Sequence, residues 1–286
     1  MPKLRHRAAH YILKKLGMFN RRYSEYMYNR NFIIPIINGR KTYKSEHWMF
    51  TLIELIFRFR RGGFVDVGVN LGQTLLKVAA VDSNRKYVGF EPNPACADYA
   101  SALAAANGLP YTIVPAGLAE SSTVLELHIY RTEDTDPSAS MIADYREGSI
   151  ARKHICVWRA DDLPPSLLPE ATAIIKIDVE GGEASVLSGL HGYIAKTRPF
   201  ILVEIFPVGV DDQTFRLKNQ ETLESTLAEL DYVKFAVEYD EAGYFTGIKK
   251  IDKLGLKADL SLIDYVMSPS EEADRLLQAV SQTAAV

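Results

Sequence analysis

From residue 64 onward, short apolar segments alternate with segments of helical periodicity, and this alternation most limits the folds open to the chain. Strands are predicted at residues 64–67, 87–90, 112–114, 124–130, 174–177 and 201–205. Helices are predicted at 46–60, 71–82, 94–107, 181–196 and 219–230. The last apolar segments, at 232–239, 243–249 and 262–267, predict a closing antiparallel hairpin or edge strand. We therefore expect an α/β fold, with a mostly parallel sheet covered by helices on both faces.

Length and composition are consistent with one large folded domain. The chain has 286 residues, of which 47% are hydrophobic and 24% charged, which excludes wholesale disorder and a multi-span membrane protein. Cys96 and Cys156 are its only cysteines, so a disulfide framework or a zinc module is not expected. No apolar run approaches the ~18 residues of a membrane span. These features predict a cytoplasmic protein.

Charge is distributed unevenly along the chain. Residues 1–62 contain 14 Lys and Arg against three Glu, a net charge of +11, whereas the whole chain carries −3. We divide it into a basic, aromatic N-terminal extension at 1–45 with a helix at 7–19, an α/β domain at 46–270 and a tail at 271–286. The extension is either a solvated basic face or an appendage for homo-oligomerisation, contact with an anionic membrane surface, or binding of an anionic acceptor. We expect no nucleic-acid partner.

The segment at 64–74 has the pattern of a nucleotide-binding loop. An apolar strand carries Asp66 near its end, turns through Gly68 and Gly72, and leads into a helix. The glycines allow a tight turn and close approach of a ligand, and the helix presents free N–H groups. The Gly-x-x-x-Gly spacing differs from the Gly-x-Gly-x-x-Gly of dinucleotide enzymes, so this turn is less suited to binding a pyrophosphate.

Glu91 follows the next predicted strand, at the distance where such folds place a carboxylate on ribose hydroxyls. Capping of the helix that begins near Pro94 is the alternative role. Together with the glycine loop, the position favours ribose binding.

Four blocks of sequence carry a resemblance to a known family. They are Asp66-Val67-Gly68-Val69-Asn70-Leu71-Gly72, Glu91-Pro92-Asn93, Ile177-Asp178-Val179-Glu180-Gly181-Gly182-Glu183 with Val186-Leu187-Ser188-Gly189, and Arg198-Pro199 with Val203-Glu204. In this order they resemble the FkbM family of S-adenosylmethionine-dependent methyltransferases over residues 46–267. Val69 departs from the alanine usual in that family.

The resemblance implies a Rossmann-like class I methyltransferase fold with a seven-stranded sheet. The basic helical N-terminal extension lies outside the resemblance and is predicted from its charge and periodicity alone. It implies S-adenosyl-L-methionine as the cofactor. The residues expected to contact the cofactor are Asp66, Gly68, Asn70 and Gly72 around the methionine moiety, Glu91 on the ribose, Gly117 on the adenine side, and Gln73, Pro92 and Asp178.

Acidic residues at the carboxyl ends of the later strands are the candidates for catalysis, because ligands in open α/β sheets bind there. Asp178 is the first choice as general base or acceptor-hydroxyl ligand, with Glu204 second and Glu180 third. Helix capping is the alternative for Glu180, and packing at a helix start beside Trp48 is the alternative for His47, the fourth candidate. Clustered carboxylates can hold a divalent cation, but no diagnostic spacing is present and no metal is assigned.

These observations predict an O-methyltransferase that acts on a small-molecule or glycan acceptor. A sugar hydroxyl of a bacterial-type surface polysaccharide or glycolipid is favoured, since carboxylates bind polyols well; a secondary metabolite is the alternative. Two rivals stay open: a nicotinamide-dependent oxidoreductase, and a non-catalytic adaptor of the same fold.

Overall fold

The computed structural model describes residues 20–131, 135–136, 139–142, 148–208, 215–255 and 263–283. The helix predicted at 7–19 lies outside these residues. Within them, thirteen strands form a hairpin, a large sheet and a small sheet. The strands are β1 (Arg21–Met27), β2 (Arg30–Ile36), β3 (Gly63–Val67), β4 (Tyr87–Phe90), β5 (Thr112–Val114), β6 (Gly117–Leu118), β7 (Thr123–Ile129), β8 (Ala151–Trp158), β9 (Thr172–Ile177), β10 (Phe200–Glu204), β11 (Tyr232–Tyr239), β12 (Phe245–Ile251) and β13 (Asp264–Pro269).

The large sheet has the order β12-β11-β13-β10-β9-β3-β4-β5. Strands β10, β9, β3, β4 and β5 are parallel to one another, and β11, β12 and β13 pair antiparallel beside β10. The predicted mostly parallel sheet with a closing antiparallel hairpin is confirmed. It holds eight strands in the described residues, one more than expected. The strand predicted at 124–130 is not among them, since β7 pairs with β8 in the small sheet β6-β8-β7.

Seven α-helices are present in the described residues: α1 (His47–Phe59), α2 (Gln73–Asp82), α3 (Pro94–Ala106), α4 (Glu183–Gly189), α5 (His191–Thr197), α6 (Phe215–Glu229) and α7 (Ala273–Thr283). The single helix predicted at 181–196 is wrong, because the chain forms the two helices α4 and α5 there. The chain is tightly packed at the break between these two helices. A Cβ on Gly189, the last residue of α4, would lie 2.0 Å from the carbonyl oxygen of Ala119.

Successive residues of the central strands belong to different apolar clusters, as the alternation of side chains along a strand requires. Ile174 of β9 lies in a cluster with Leu52 of α1 and Leu75 of α2. Its neighbour Ile175 lies in a second cluster with Val186 of α4. The sheet is therefore covered on both faces, and its polar edge at the carboxyl ends of the parallel strands is left for a site.

The N-terminal hairpin β1–β2 packs against the same core. Its two-residue turn, Tyr28-Asn29, has positive φ at both positions, the geometry that suits the twist of a hairpin. Met27, Phe32 and Ile34 are at most 1% exposed and belong to the cluster beneath α1 and α2. This part of the N-terminal extension is thus packed against the core of the domain.

None of the helices in the described residues has the length and apolar character that crossing a bilayer requires.

Candidate active site

The turn after β3 brings two strand ends into close contact. Gly68 has φ +90°, and a Cβ on it would lie 1.9 Å from the carbonyl oxygen of Asp178, which follows β9. Asn70 and Gly72 also have positive φ, and α2 begins directly after Gly72. Only glycine at position 68 allows the turn to pass this close to the neighbouring strand end.

Glu91 fixes the position of this turn. Its two carboxylate oxygens accept hydrogen bonds from the backbone N–H groups of Asn70 (2.7 Å) and Asn93 (2.8 Å). Burial raises the pKa of Glu91 to about 7, and the two N–H donors oppose the rise. Each oxygen retains a second lone pair, so the carboxylate can also accept from the hydroxyls of a ligand.

A cavity of about 300 Å³ opens at the carboxyl ends of β3, β4, β9 and β10. Nine of the residues predicted for the site line it: Gly68, Asn70, Gln73, Glu91, Pro92, Gly117, Asp178, Glu180 and Glu204. The fold thus brings the predicted cofactor residues and the three predicted catalytic carboxylates to a single cavity.

The other three predicted residues lie elsewhere. Asp66 is fully buried beneath the cavity, and Gly72 packs against Leu103 at the start of α2. His47 is stacked on Tyr244, with ring centroids 4.8 Å apart. The N–H of the next residue, Trp48, donates to the carbonyl of Gly243 at 2.8 Å and holds the β11–β12 turn beside the helix start. The ring of His47 thus packs at the start of the helix and does not line the cavity, and its part in catalysis stays a prediction.

Lys176 lies at the centre of the site and was not predicted. Its Nζ is 3.1 Å from Asp178 Oδ2 and 3.5 Å from Asp66 Oδ1, and it donates to the Gly68 carbonyl at 2.7 Å. Burial lowers its pKa, but the facing carboxylates outweigh burial and raise it, so the side chain is an ammonium. Burial raises the pKa of Asp66, against the pull of this ammonium. One ammonium thus joins the ends of β3 and β9.

Three further carboxylates meet at the side of the cavity near β10 and β13. Oxygens of Glu46, Glu204 and Asp264 lie within 4.8 Å of one another, a spacing at which they could ligate a cation. Burial, with Asp178 and Asp264 nearby, raises the pKa of Glu204 well above its usual range. Burial and Glu46 raise the pKa of Asp264 to about 7. Glu46 and Asp264 were not predicted either, because neither lies beside a recognisable motif.

The residues present fit an adenosine-containing cofactor. Phe90, Leu118 and Leu127 give the cavity apolar walls that suit an aromatic base, and Glu91 suits a ribose diol. A Cβ on Gly117 would lie 3.1 Å from Val157 and 3.7 Å from Pro92, so a side chain there would fill space in the cavity wall.

A glycine turn, a buried acid at the second strand end and a cavity lined by carboxylates are the features of one class of protein, the nucleotide-binding α/β proteins. The model of the methyltransferase FkbM domain matches residues 66–250, more than half of the chain. The chain therefore belongs to the FkbM methyltransferase family, and its cofactor is S-adenosylmethionine. The predicted family and the Rossmann-like methyltransferase fold are confirmed. No curated protein matched the sequence.

Solved structures of methyltransferases are similar to this chain at low identity. A methyltransferase FkbM from Methylobacillus flagellatus is 15% identical, with a TM-score of 0.44; the match covers 72% of this chain and 43% of that one. An O-methyltransferase from Bacillus cereus in complex with SAH is 10% identical, with a TM-score of 0.44; the match covers 77% of this chain and 79% of that one.

Proposed function

We propose that this methyltransferase transfers a methyl group to oxygen, and that its acceptor is a sugar hydroxyl of a bacterial-type surface polysaccharide or glycolipid. One observation carries the proposal: the cavity that holds Glu91 and the glycine turn also holds Asp178, Glu180 and Glu204. The residues suited to the cofactor and a group of hydrogen-bonding carboxyl side chains thus line the same cavity. Hydroxyl groups are donors that such carboxylates bind well.

When bound, S-adenosylmethionine supplies an electrophilic methyl group on a positively charged sulfur. The chain's own task is to orient an acceptor hydroxyl and to take its proton. Asp178 is suited to take the proton, because its side chain lines the cavity while the Lys176 ammonium holds one carboxylate oxygen at 3.1 Å. A positioned general base contributes about 10²–10⁴-fold to the rate.

For Glu204 we propose a role in orienting the acceptor, not that of the general base. Since its pKa is raised well above its usual range, its carboxyl group is protonated at neutral pH and is a poor base. A protonated carboxyl can donate a hydrogen bond to an acceptor oxygen, and this orients the substrate. We therefore assign the base to Asp178 and orientation to Glu204.

The test has a binding stage and a transfer stage. Calorimetry should detect binding of S-adenosylhomocysteine and no binding of NADH; the reverse would support the nicotinamide-dependent rival. Mass spectrometry of the producer's surface glycans, with and without the protein, should then differ by one methyl group.

Asp178→Asn should lower methyl transfer to that glycan by at least about 100-fold, since the amide cannot take a proton. Asp98→Asn, an exposed position on α3, is the matched control and should retain full activity. If Asp178→Asn retains full activity, Asp178 is not the base. Glycans that are identical with and without the protein would contradict this acceptor class and favour the adaptor or a secondary-metabolite substrate.

A further inference from the structure

Glu46 reaches the cavity from a part of the chain that precedes the family match at 66–250. It stands immediately before α1, with a left-handed backbone of φ 42° and ψ 61°. A residue with a Cβ adopts this conformation at a cost in free energy, so its surroundings must hold it there.

A buried lysine provides that support. Lys77 of α2 has a side chain that is 0% exposed, and its Nζ lies 3.1 Å from Glu46 Oε2. Ser45 Oγ donates to the same oxygen at 3.2 Å, and Tyr28 Oη donates to the Ser45 carbonyl at 3.0 Å. The hairpin turn and α2 thus fix Glu46 together. Its side chain is still 27% exposed, which leaves it accessible from the cavity.

The charge of Glu46 differs from that of its two carboxyl neighbours. Lys77 and Lys176 lower its pKa, and their attraction outweighs the opposing effect of burial. The pKa values of Glu204 and Asp264 are instead raised, mainly by burial. Of these three groups, Glu46 is therefore the one whose pKa is lowered, so it keeps its charge at neutral pH while Asp264 is only partly ionised, and it lies at a fixed place in the cavity wall.

We propose that Glu46 is a specificity-determining residue, which accepts a hydrogen bond from an uncharged, hydroxyl-bearing acceptor and repels an anionic one. The inference rests on the proposed function and refines its acceptor class to neutral sugars. It assigns the segment ahead of the family domain a part in choosing the acceptor. It also argues against one of the roles considered for the basic N-terminal extension, which is to bind an anionic acceptor for this cavity.

The experiment measures sugar binding by saturation-transfer NMR to protein loaded with S-adenosylhomocysteine. The probes are the methyl glycosides of glucose and galactose and those of the matching glucuronic and galacturonic acids. EDTA is present throughout, so that no divalent cation can bridge sugar and carboxylates. Wild type should bind each neutral glycoside more tightly than its matching uronide.

Glu46→Gln keeps an oxygen for Lys77 but removes the charge. It should weaken binding of the neutral glycosides about tenfold, within the range of one charge-assisted hydrogen bond, and should narrow the discrimination against uronides. Glu54→Gln, an exposed position on α1 that pairs with Arg58, is the matched control and should bind as wild type. The double variant Glu46→Gln/Lys77→Met leaves no buried lysine without a partner and should show the same loss if the single variant folds poorly.

The outcomes separate the two proposals. Discrimination that is unchanged in both Glu46 variants, a wild-type preference for uronides, or no binding of any glycoside would overturn the role of Glu46. In each of these cases normal binding of S-adenosylhomocysteine would leave the proposed methyl transfer standing. A protein that does not bind S-adenosylhomocysteine overturns both.

Discussion

At the scale of single residues, the Lys176 ammonium allows two acidic side chains, Asp66 and Asp178, to lie close together at neighbouring strand ends. Asp66 is 0% exposed, accepts a 2.5 Å hydrogen bond from Tyr87 Oη, and has Lys176 as its nearby cation. A buried carboxylate without such a partner is costly.

Lys176→Met should therefore lower the free energy of unfolding by about 3–5 kcal/mol, because it leaves Asp66 buried without its cation. Urea denaturation measures the loss. Lys86→Met, at an exposed position just before β4, is the control and should change stability by less than about 0.5 kcal/mol. Adding Asp66→Asn to Lys176→Met should recover part of the loss, as expected for coupled residues. A double variant no more stable than the single one would contradict this account.

The sequence predicts the residues at strand ends better than the residues that support them. Gly68, Glu91 and Asp178 were found because each follows an apolar strand. The signal for Lys176 was present, since it is a lone charge within the apolar run at 174–177 and so needs a buried partner. Its partners could not be named, because they depend on which strands become neighbours.

At the scale of elements, the N-terminal hairpin shows that a segment rich in basic residues can still contribute to the core. Its strands carry Arg21, Arg22 and Arg30, and this basic character predicts either a solvated basic face or an appendage. The alternation of exposed and buried residues in β2, with Phe32 at 1% and Ile33 at 38% exposure, is the pattern of a strand with one face on a core.

Phe32→Ala should lower the free energy of unfolding by about 3–5 kcal/mol, since it removes a fully buried ring from the main cluster. The neighbouring Ile33→Ala, on the opposite face of the same strand, should cost less than about 1 kcal/mol. Thermal and chemical denaturation give both values. Equal, small effects at the two positions would mean that the hairpin is separable from the domain after all.

At the scale of the whole molecule, strand order is what converts scattered motifs into a site. The alternation of strands and helices predicts a parallel sheet, but it does not state that β3 lies between β9 and β4. That order brings residues 68, 91 and 178 to one edge. It also sets Asp264 of β13 beside Glu204 of β10, a pairing between segments 60 residues apart in the sequence.

Because several acidic side chains are buried, we expect the free energy of unfolding of the cofactor-free protein to fall as the pH rises. Burial raises the pKa values of Glu91, Glu183 and Asp264 to about 7, from ordinary values of 4.5 or 3.8. The folded state therefore keeps protons that the unfolded chain releases. The stabilisation from these groups is full below their unfolded pKa values, and it is lost as the pH rises through about 7.

We accordingly expect the free energy of unfolding of the cofactor-free protein to be larger at about pH 5 than at about pH 8. Urea denaturation at the two pH values measures the difference. The triple variant Glu91→Gln, Glu183→Gln and Asp264→Asn, which has no proton to release at these positions, should show a smaller difference, and the dependence that remains comes from Glu204 and Asp66, whose pKa values burial also raises. If wild type is instead more stable at the higher pH, or the triple variant retains the full dependence, these carboxyl groups are ionised in the folded protein and burial does not raise their pKa values.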